Sequence, residues 1–103
     1  MTGYAFHPEA EADIHEIWDY IATDNPAAAD RVTAEIEKAL DNLPLFPGQG
    51  HGRPDLTSRP LRFILVREYL IAYVPDERPL WVVAVIHGRR SPRVIAAILR
   101  DRQ

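Results

Sequence analysis

Residues 80–93 read Leu-Trp-Val-Val-Ala-Val-Ile-His-Gly-Arg-Arg-Ser-Pro-Arg, and this stretch decides the fold. Its first seven residues are apolar and include three valines and an isoleucine, which is typical of a strand buried on both faces. Such a strand needs a neighbour on each side, so we expect the rest of the chain to be arranged around it. The apolar run ends at Gly88, and three arginines follow within five positions. A strand that ends in cations is a candidate interaction site.

The chain has 103 residues, which predicts a single domain spanning residues 1–103. It contains no cysteine, so disulfides and cysteine-bound metals are excluded. Residues 1–7 are too short and polar for a signal peptide, and no apolar run approaches the roughly 18 residues of a membrane span. We therefore expect a cytoplasmic protein that needs neither a membrane nor a cofactor.

Charge is distributed unevenly along the chain. Residues 1–50 carry ten acidic side chains against Arg31 and Lys38, a balance of −8. Residues 51–103 carry ten arginines against five acidic side chains, a balance of +5. Arginine suits bidentate contact with carboxylates or phosphates. This asymmetry has two readings: an anionic partner binds the C-terminal half, or acidic helices lie against basic strands and cancel their charge.

Two amphipathic helices are predicted in the first half. One spans residues 8–23, and the dipeptide Asn25-Pro26 marks the start of a second that Pro44 ends. The apolar stripes consist of Ala10, Ile14, Ile17, Trp18 and Ile21, then Ala29, Val32, Ile36, Leu40 and Leu43. Asp13, Glu16 and Asp19 are expected to face away from the stripe of the first helix. Because the link is so short, the helices must form a hairpin, and that hairpin needs a sheet to cover.

The second half predicts strands. Residues 61–66 and 69–74 alternate in the manner of half-buried strands, and the short polar break at Arg67-Glu68 favours a hairpin between them. Residues 75–79 form a further turn into the strand at 80–86. The last three strands should therefore form an antiparallel meander.

The remaining segments complete the predicted order β-α-α-β-β-β. Residues 4–7 resemble a short first strand, and residues 45–60 form a long connecting loop. Residues 94–99 suggest either a short final helix or a tail that packs on a neighbouring molecule. The predicted class is α+β, with the helical hairpin packed on one face of a small antiparallel sheet.

Several short segments together carry a family resemblance. They are Phe6 to Ala10, Asp13-Ile14, Glu16 to Ile21, Asn25 to Ala29, Leu43-Pro44 with Pro47, Gly48, Gly52 and Arg53, then Arg62-Phe63, Tyr69 to Tyr73, and Val85 to Arg90. In this order and spacing the sequence resembles the RelE/ParE superfamily of bacterial type II toxin–antitoxin toxins, and the ParE branch, to which plasmid stabilisation toxins belong, in particular.

The resemblance implies a fold, a partner and a class of action. The fold would be RelE/ParE-like. The partner would be a cognate antitoxin encoded beside the toxin, whose C-terminal segment wraps around it. ParE-like members poison DNA gyrase by binding, whereas RelE-like members are endoribonucleases that cut messenger RNA in the ribosomal A site. A third possibility is a toxin that has lost its activity and is kept for autoregulation. For this chain in general, no direct contact with nucleic acid is expected except through the antitoxin complex.

The residues favour binding over catalysis. RNA cleavage needs a base, an acid and cations, and the candidates here would be Arg62, His87 and Arg90. RelE-like enzymes usually have a tyrosine in the C-terminal segment and lysines on the sheet. Residues 94–99 contain no tyrosine, and the only lysine, Lys38, lies in the predicted second helix. We therefore assign no catalytic residue and interpret the chain as a ParE-like gyrase inhibitor, with the endoribonuclease as the alternative.

The predicted contacts with target or antitoxin are Arg62, Tyr73, His87, Arg89, Arg90 and Arg93. Two of them have a structural alternative, since His87 can be a hydrogen-bonded strand end and Arg62 can pair with an acidic side chain. The other three histidines lack ligand spacing, so no metal is expected. Trp18 and Trp81 are expected in the core.

Overall fold

The computed structural model describes residues 3–102, which form four strands and three α-helices. In chain order they are β1 (Tyr4–Phe6), α1 (Pro8–Ala22), α2 (Pro26–Asn42), β2 (Arg62–Val66), β3 (Tyr69–Val74), β4 (Leu80–His87) and α3 (Pro92–Asp101), with a short 3-10 turn at Pro47–Gln49. The predicted α+β order is confirmed, and the final segment is a helix.

Each α-helix begins at a side-chain cap followed by proline. Asn25 accepts a hydrogen bond from the Ala28 amide, and Ser91 accepts one from the Val94 amide. His7 caps α1 with its Nδ1 atom. Proline occupies the first helical position in all three, where its missing N–H costs nothing. These local signals explain why the sequence located the helix starts closely.

The strands form one sheet in the order β1-β4-β3-β2. Strand β4 is central, as predicted, and nearly every residue from Leu80 to Ile86 is buried. The β2-β3-β4 meander is antiparallel, but β1 pairs with β4 in the parallel direction, so the sheet is mixed. An alternation pattern carries no information about strand direction, and therefore could not have predicted this.

Two cores lie on opposite faces of the sheet. The helical hairpin covers one face, where Tyr73, Ile36, Leu40 and Val82 are fully buried. On the other face, α3 and the long loop cover Val83, Ala84 and Ile86 with Ile95, Leu99, Leu56 and Leu61. The second core explains why β4 needed apolar residues at consecutive positions.

Two expectations about buried side chains were only partly met. Trp81 is half-buried and packs against the second core. Trp18, however, is 37% exposed and donates its indole N–H to Asp30 at 2.8 Å. Trp18 directly follows Ile17 in the helix, so it lies about 100° further round the helix surface, at the margin of the apolar stripe.

Candidate partner-binding surface

The arginine turn, residues 88–93, links β4 to α3 and has a defined conformation. The Arg90 amide donates to the His87 carbonyl at 3.1 Å, and the Arg89 amide donates to Nδ1 of His87 at 3.0 Å. The side chains of the turn therefore project from an ordered backbone between a central strand and a capped helix.

The three arginines of this turn concentrate unpaired positive charge. Arg89, Arg90 and Arg93 are exposed, and none of them forms an ion pair within residues 3–102. The first turn of α3 has no acidic residue. Cations near a helix N-terminus are disfavoured by the helix dipole, so the isolated protein bears an electrostatic cost here. An anionic partner would remove that cost.

The other described arginines of the C-terminal half are engaged inside the molecule. Ion pairs join Arg53 to Asp55, Arg67 to Glu35 and Arg102 to Asp13, while Arg59, Arg62 and Arg78 donate to backbone carbonyls. Arg100 also makes a contact. Cancellation by acidic helix residues therefore accounts for Arg67 and Arg102, but not for the arginine turn.

Both ring nitrogens of His87 are occupied. Nδ1 accepts the Arg89 amide, so in the neutral ring the proton lies on Nε2, which is 3.2 Å from the Glu68 carboxylate. The ring also packs edge-on against Tyr69, with centroids 5.3 Å apart. These contacts hold the His87 ring against the arginine turn. A contact of His87 with a partner, or its role as a base, stays a prediction.

Arg62 and Tyr73 lie elsewhere and hold the long loop. The Arg62 guanidinium donates to the carbonyls of Gly48 and Gly50. The Tyr73 hydroxyl accepts the Gly50 amide at 3.0 Å and donates to the Pro47 carbonyl at 2.7 Å.

The structure does not bring these two residues together with the arginine turn. Tyr69 pairs with His87, whereas Tyr73, the partner of Arg62, is four strand positions further along, about 13 Å away. A contact of Arg62 or Tyr73 with a partner stays a prediction.

An open groove adjoins the arginine turn. It lies between α1 and α3 along the edge of β4 and has a volume of about 540 Å³. Its lining residues are Asp13, Glu16, Ile17, Tyr20, Tyr69, Val85, Ile86, His87, Arg90, Ile98 and Arg102. We call this the edge groove. Its lining combines apolar side chains, such as Ile17 and Ile98, with charged ones, such as Arg90, and with Tyr20, which is 82% exposed.

A β-bulge determines which backbone groups face the edge groove. Ala72 pairs with Ala84 and Tyr73 pairs with Val82, so Val83 is an extra residue in β4. The amide of Val85 then points away from β3 and donates to the Asp13 carboxylate at 2.9 Å. Beyond the end of β1, the bulge therefore changes which backbone groups of β4 point away from β3.

Asp13 and Arg102, which both line the edge groove, form an ion pair. Two guanidinium nitrogens of Arg102 bond to the Asp13 carboxylate at 2.5 and 2.9 Å, and one of them also reaches the Val83 carbonyl. The expectation that Asp13 faces away from the packed side of α1 was wrong, since its side chain is only 12% exposed. Asp13 lies three positions after Ala10 and four before Ile17, so helical periodicity places it beside the apolar stripe. Its charge suggested a solvated side chain, because its partner lies at the far end of the chain.

Burial also affects a tyrosine in the edge groove. Desolvation raises the pKa of the Tyr69 hydroxyl, and the nearby Glu68 carboxylate raises it further.

Among residues 3–102, no group of three His, Asp or Glu side chains could hold a metal ion. Within the same residues no helix is both long and apolar enough to cross a membrane.

Comparisons with known proteins agree with this architecture. The family model for the ParE toxin of the type II toxin–antitoxin system parDE matches residues 4–92. The chain is 32% identical over 82 residues to "Toxin RelE2" of Caulobacter vibrioides, covering 79% of this chain and 89% of the relative. It is 33% identical over 89 residues to "Putative toxin Y4kP" of Sinorhizobium fredii, covering 80% of this chain and 84% of the relative.

Proposed function

The chain belongs to the ParE toxin family of type II toxin–antitoxin systems, and from this premise we propose that it acts by binding DNA gyrase, not by cutting RNA. A toxin of this type implies an antitoxin partner. In the proposal the arginine turn contacts anionic groups of the gyrase–DNA complex, and the antitoxin neutralises the toxin by covering the same turn.

One observation carries the proposal: Arg89, Arg90 and Arg93 are exposed at the end of the central strand, and among the described residues 3–102 none of them has an ion-pair partner. Unpaired, exposed cations on an ordered turn suit recognition of an anionic surface and fast, electrostatically steered association.

Two of the three candidate residues for RNA cleavage are engaged in contacts within the molecule. Arg62 is bonded to loop carbonyls, and His87 has both nitrogens occupied. General acid–base chemistry needs a group within hydrogen-bond reach of the proton it moves, with cations placed around the same phosphate. This supports binding as the mode of action over the endoribonuclease alternative.

The test combines purified toxin, free of antitoxin, with gyrase, ATP and relaxed plasmid. We expect supercoiling to be inhibited and cleaved plasmid to accumulate when the enzyme is denatured. Unaffected supercoiling together with codon-specific cuts in ribosome-bound messenger RNA would replace this proposal with the RelE-like activity that the name of the Caulobacter relative suggests.

A further inference from the structure

We propose that the ordered form of the arginine turn requires a neutral His87, so that pH controls how well the turn binds an anionic partner. His87 and Glu68 are then positioning residues, which act on the partner through the turn. The inference rests on the proposed function in taking the turn as a partner-binding surface, but it does not depend on gyrase as the target.

One ring nitrogen of His87 must be unprotonated in the observed turn. Nδ1 accepts the Arg89 amide at 3.0 Å, and a ring nitrogen that carries a proton cannot accept a hydrogen bond. In the imidazolium ion both ring nitrogens carry a proton. Protonation of His87 therefore removes the acceptor and directs a new N–H at the Arg89 N–H, so the turn and the charged ring cannot keep this arrangement.

The tip of the β2–β3 hairpin holds the ring and the start of the turn. The Glu68 carboxylate lies 3.2 Å from Nε2 of His87, and the Glu68 carbonyl accepts the Gly88 amide at 2.6 Å. The ring also packs against Tyr69. Because the ring and Gly88 are both held by the hairpin, we expect the backbone at Arg89 to be the part that moves on protonation.

The charged groups around the ring act in opposite directions. Glu68 favours the imidazolium, but its side chain is 56% exposed, and solvent screens such a pair. Arg90, in the same turn, disfavours it. The other titratable or charged groups that line the edge groove with the ring are Glu16 and Tyr20 of α1, Tyr69 of β3, and the paired Asp13 and Arg102. The sign of the pH dependence therefore follows from the Arg89 hydrogen bond, which only the neutral ring can accept.

The ordered turn should be favoured at higher pH. It excludes a proton from Nδ1, so lowering the pH through the titration of His87 disfavours it. The ring is 32% exposed and can exchange protons with water, and histidine normally changes charge between pH 5 and 8. A partner that needs the ordered turn then binds more weakly at low pH, because binding must also order the turn. Charge alone gives the opposite trend, since the imidazolium adds a cation to this surface.

Nuclear magnetic resonance of the free toxin tests the positioning directly. The nitrogen shifts of the ring give the tautomer and charge of His87, and the spectrum of His87→Asn identifies its signals among the four histidines. We expect the Nε2–H tautomer at about pH 8, and an Arg89 amide signal that follows the titration curve of the ring. The Arg78 amide, in the turn before β4, is the control and should not follow that curve.

Two variants that do not titrate test the effect on binding. His87→Asn places its side-chain oxygen near the position of Nδ1 and keeps an acceptor for the Arg89 amide, whereas His87→Gln places its polar end near Nε2 and does not. We would measure the Kd of the antitoxin encoded beside the toxin at about pH 6 and about pH 8.

The expected changes in Kd correspond to one neutral hydrogen bond. Between about pH 8 and about pH 6 the wild-type Kd should rise about fivefold more than that of either variant. His87→Gln should bind about fivefold more weakly than His87→Asn at both pH values. Any pH dependence that comes from the antitoxin is common to all three proteins and cancels in these comparisons.

The outcomes separate this inference from the proposed function. An Arg89 amide that does not follow the titration of the ring overturns the inference, even if gyrase is inhibited. An equal pH dependence of Kd in the wild type and both variants, or tighter binding by the wild type at low pH, also overturns it, as does a failure of toxin and antitoxin to form a complex. The expected pattern together with unaffected supercoiling supports the inference and rejects the proposed target. If a variant does not fold, the resonance experiment on the wild type decides.

Discussion

The Asp13 carboxylate and the Arg102 guanidinium approach to 2.5 Å although 89 positions separate them in the chain. The pair joins α1 to the end of α3, and both partners also bond to the backbone of β4. Arg59 makes a second contact that holds α3, since its guanidinium donates to the Leu99 and Arg102 carbonyls at the C-terminal end of the helix. The helix that leaves the arginine turn is therefore anchored at its far end.

Breaking this pair should be costly. Asp13→Ala leaves a mostly buried guanidinium unpaired and deprives the Val85 amide of its acceptor, so we expect a loss of about 3 kcal/mol in the free energy of unfolding. Chemical denaturation measures it. The double variant Asp13→Ala/Arg102→Ala should lose much less than the sum of the single losses.

The exposed pair of Arg67 and Glu35 is the matched control for that experiment. Its side chains are 45% and 47% exposed, so Glu35→Ala should change stability far less than Asp13→Ala. The Arg67 hydrogen bond lowers the pKa of Glu35. Equal losses of unfolding free energy in Glu35→Ala and Asp13→Ala would show that the Asp13–Arg102 pair is not a structural anchor.

The loop pinned by Tyr73 offers a second stability prediction. A Cβ at Gly50 would lie 2.7 Å from both the Phe63 carbonyl oxygen and the Tyr73 hydroxyl, whereas a Cβ at Gly52 meets nothing within 4 Å. Gly50→Ala should lower the free energy of unfolding by about 2 kcal/mol, because neither the Phe63 backbone nor the packed Tyr73 hydroxyl can move away freely. Gly52→Ala should stay within about 0.5 kcal/mol of the wild type in the same thermal or chemical unfolding measurement.

Antitoxin association should depend on salt through the arginine turn. Replacing Arg89, Arg90 and Arg93 together by glutamine should slow association and flatten its dependence on ionic strength, because exposed charges act over about 10 Å at moderate salt. Stopped-flow or surface binding between about 50 and 500 mM salt measures this. Arg78→Gln, in the turn before β4, should retain the wild-type dependence. An association rate that ignores salt in the wild type contradicts the electrostatic account.

Tyr69 should contribute to the loss of stability at high pH. Its pKa is raised above 10.0 by burial, so the folded state favours the neutral hydroxyl more than the unfolded state does. The resulting stabilisation is complete below about pH 10 and is lost as pH rises through the folded-state pKa. Tyr69→Phe should therefore weaken the alkaline decline in unfolding free energy. A decline as steep as in the wild type would refute this, while a residual decline is expected because the pKa of Tyr4 is also raised.

The local parts of this structure could be predicted from the sequence. Pro8 and the Asn25-Pro26 pair identified the starts of α1 and α2, and the apolar run at residues 80–86 identified the central strand. The arginine turn was visible because three cations followed that strand. What the sequence could not show were the long-range relationships: the parallel direction of β1, the bulge at Val83, and the pairing of Asp13 with Arg102. Each depends on how distant segments pack, which no local period encodes.

The same limit explains why the contacts of the candidate site could not be predicted from the sequence. Arg62 and Tyr73 are polar residues on strands, which made them plausible contacts, but only the structure shows their bonds to loop carbonyls. The edge groove was invisible in the sequence because its walls come from α1, β4 and α3.

The most direct test of the account is the inhibition of gyrase by a toxin that lacks the arginine turn's charge. The triple variant Arg89→Ala/Arg90→Ala/Arg93→Ala and the single control Arg78→Ala would be titrated against supercoiling, after their folding is verified by thermal unfolding. We expect the triple variant to need at least about tenfold more protein for half-inhibition, and Arg78→Ala to match the wild type. A folded triple variant that inhibits gyrase as strongly as the wild type would contradict the account.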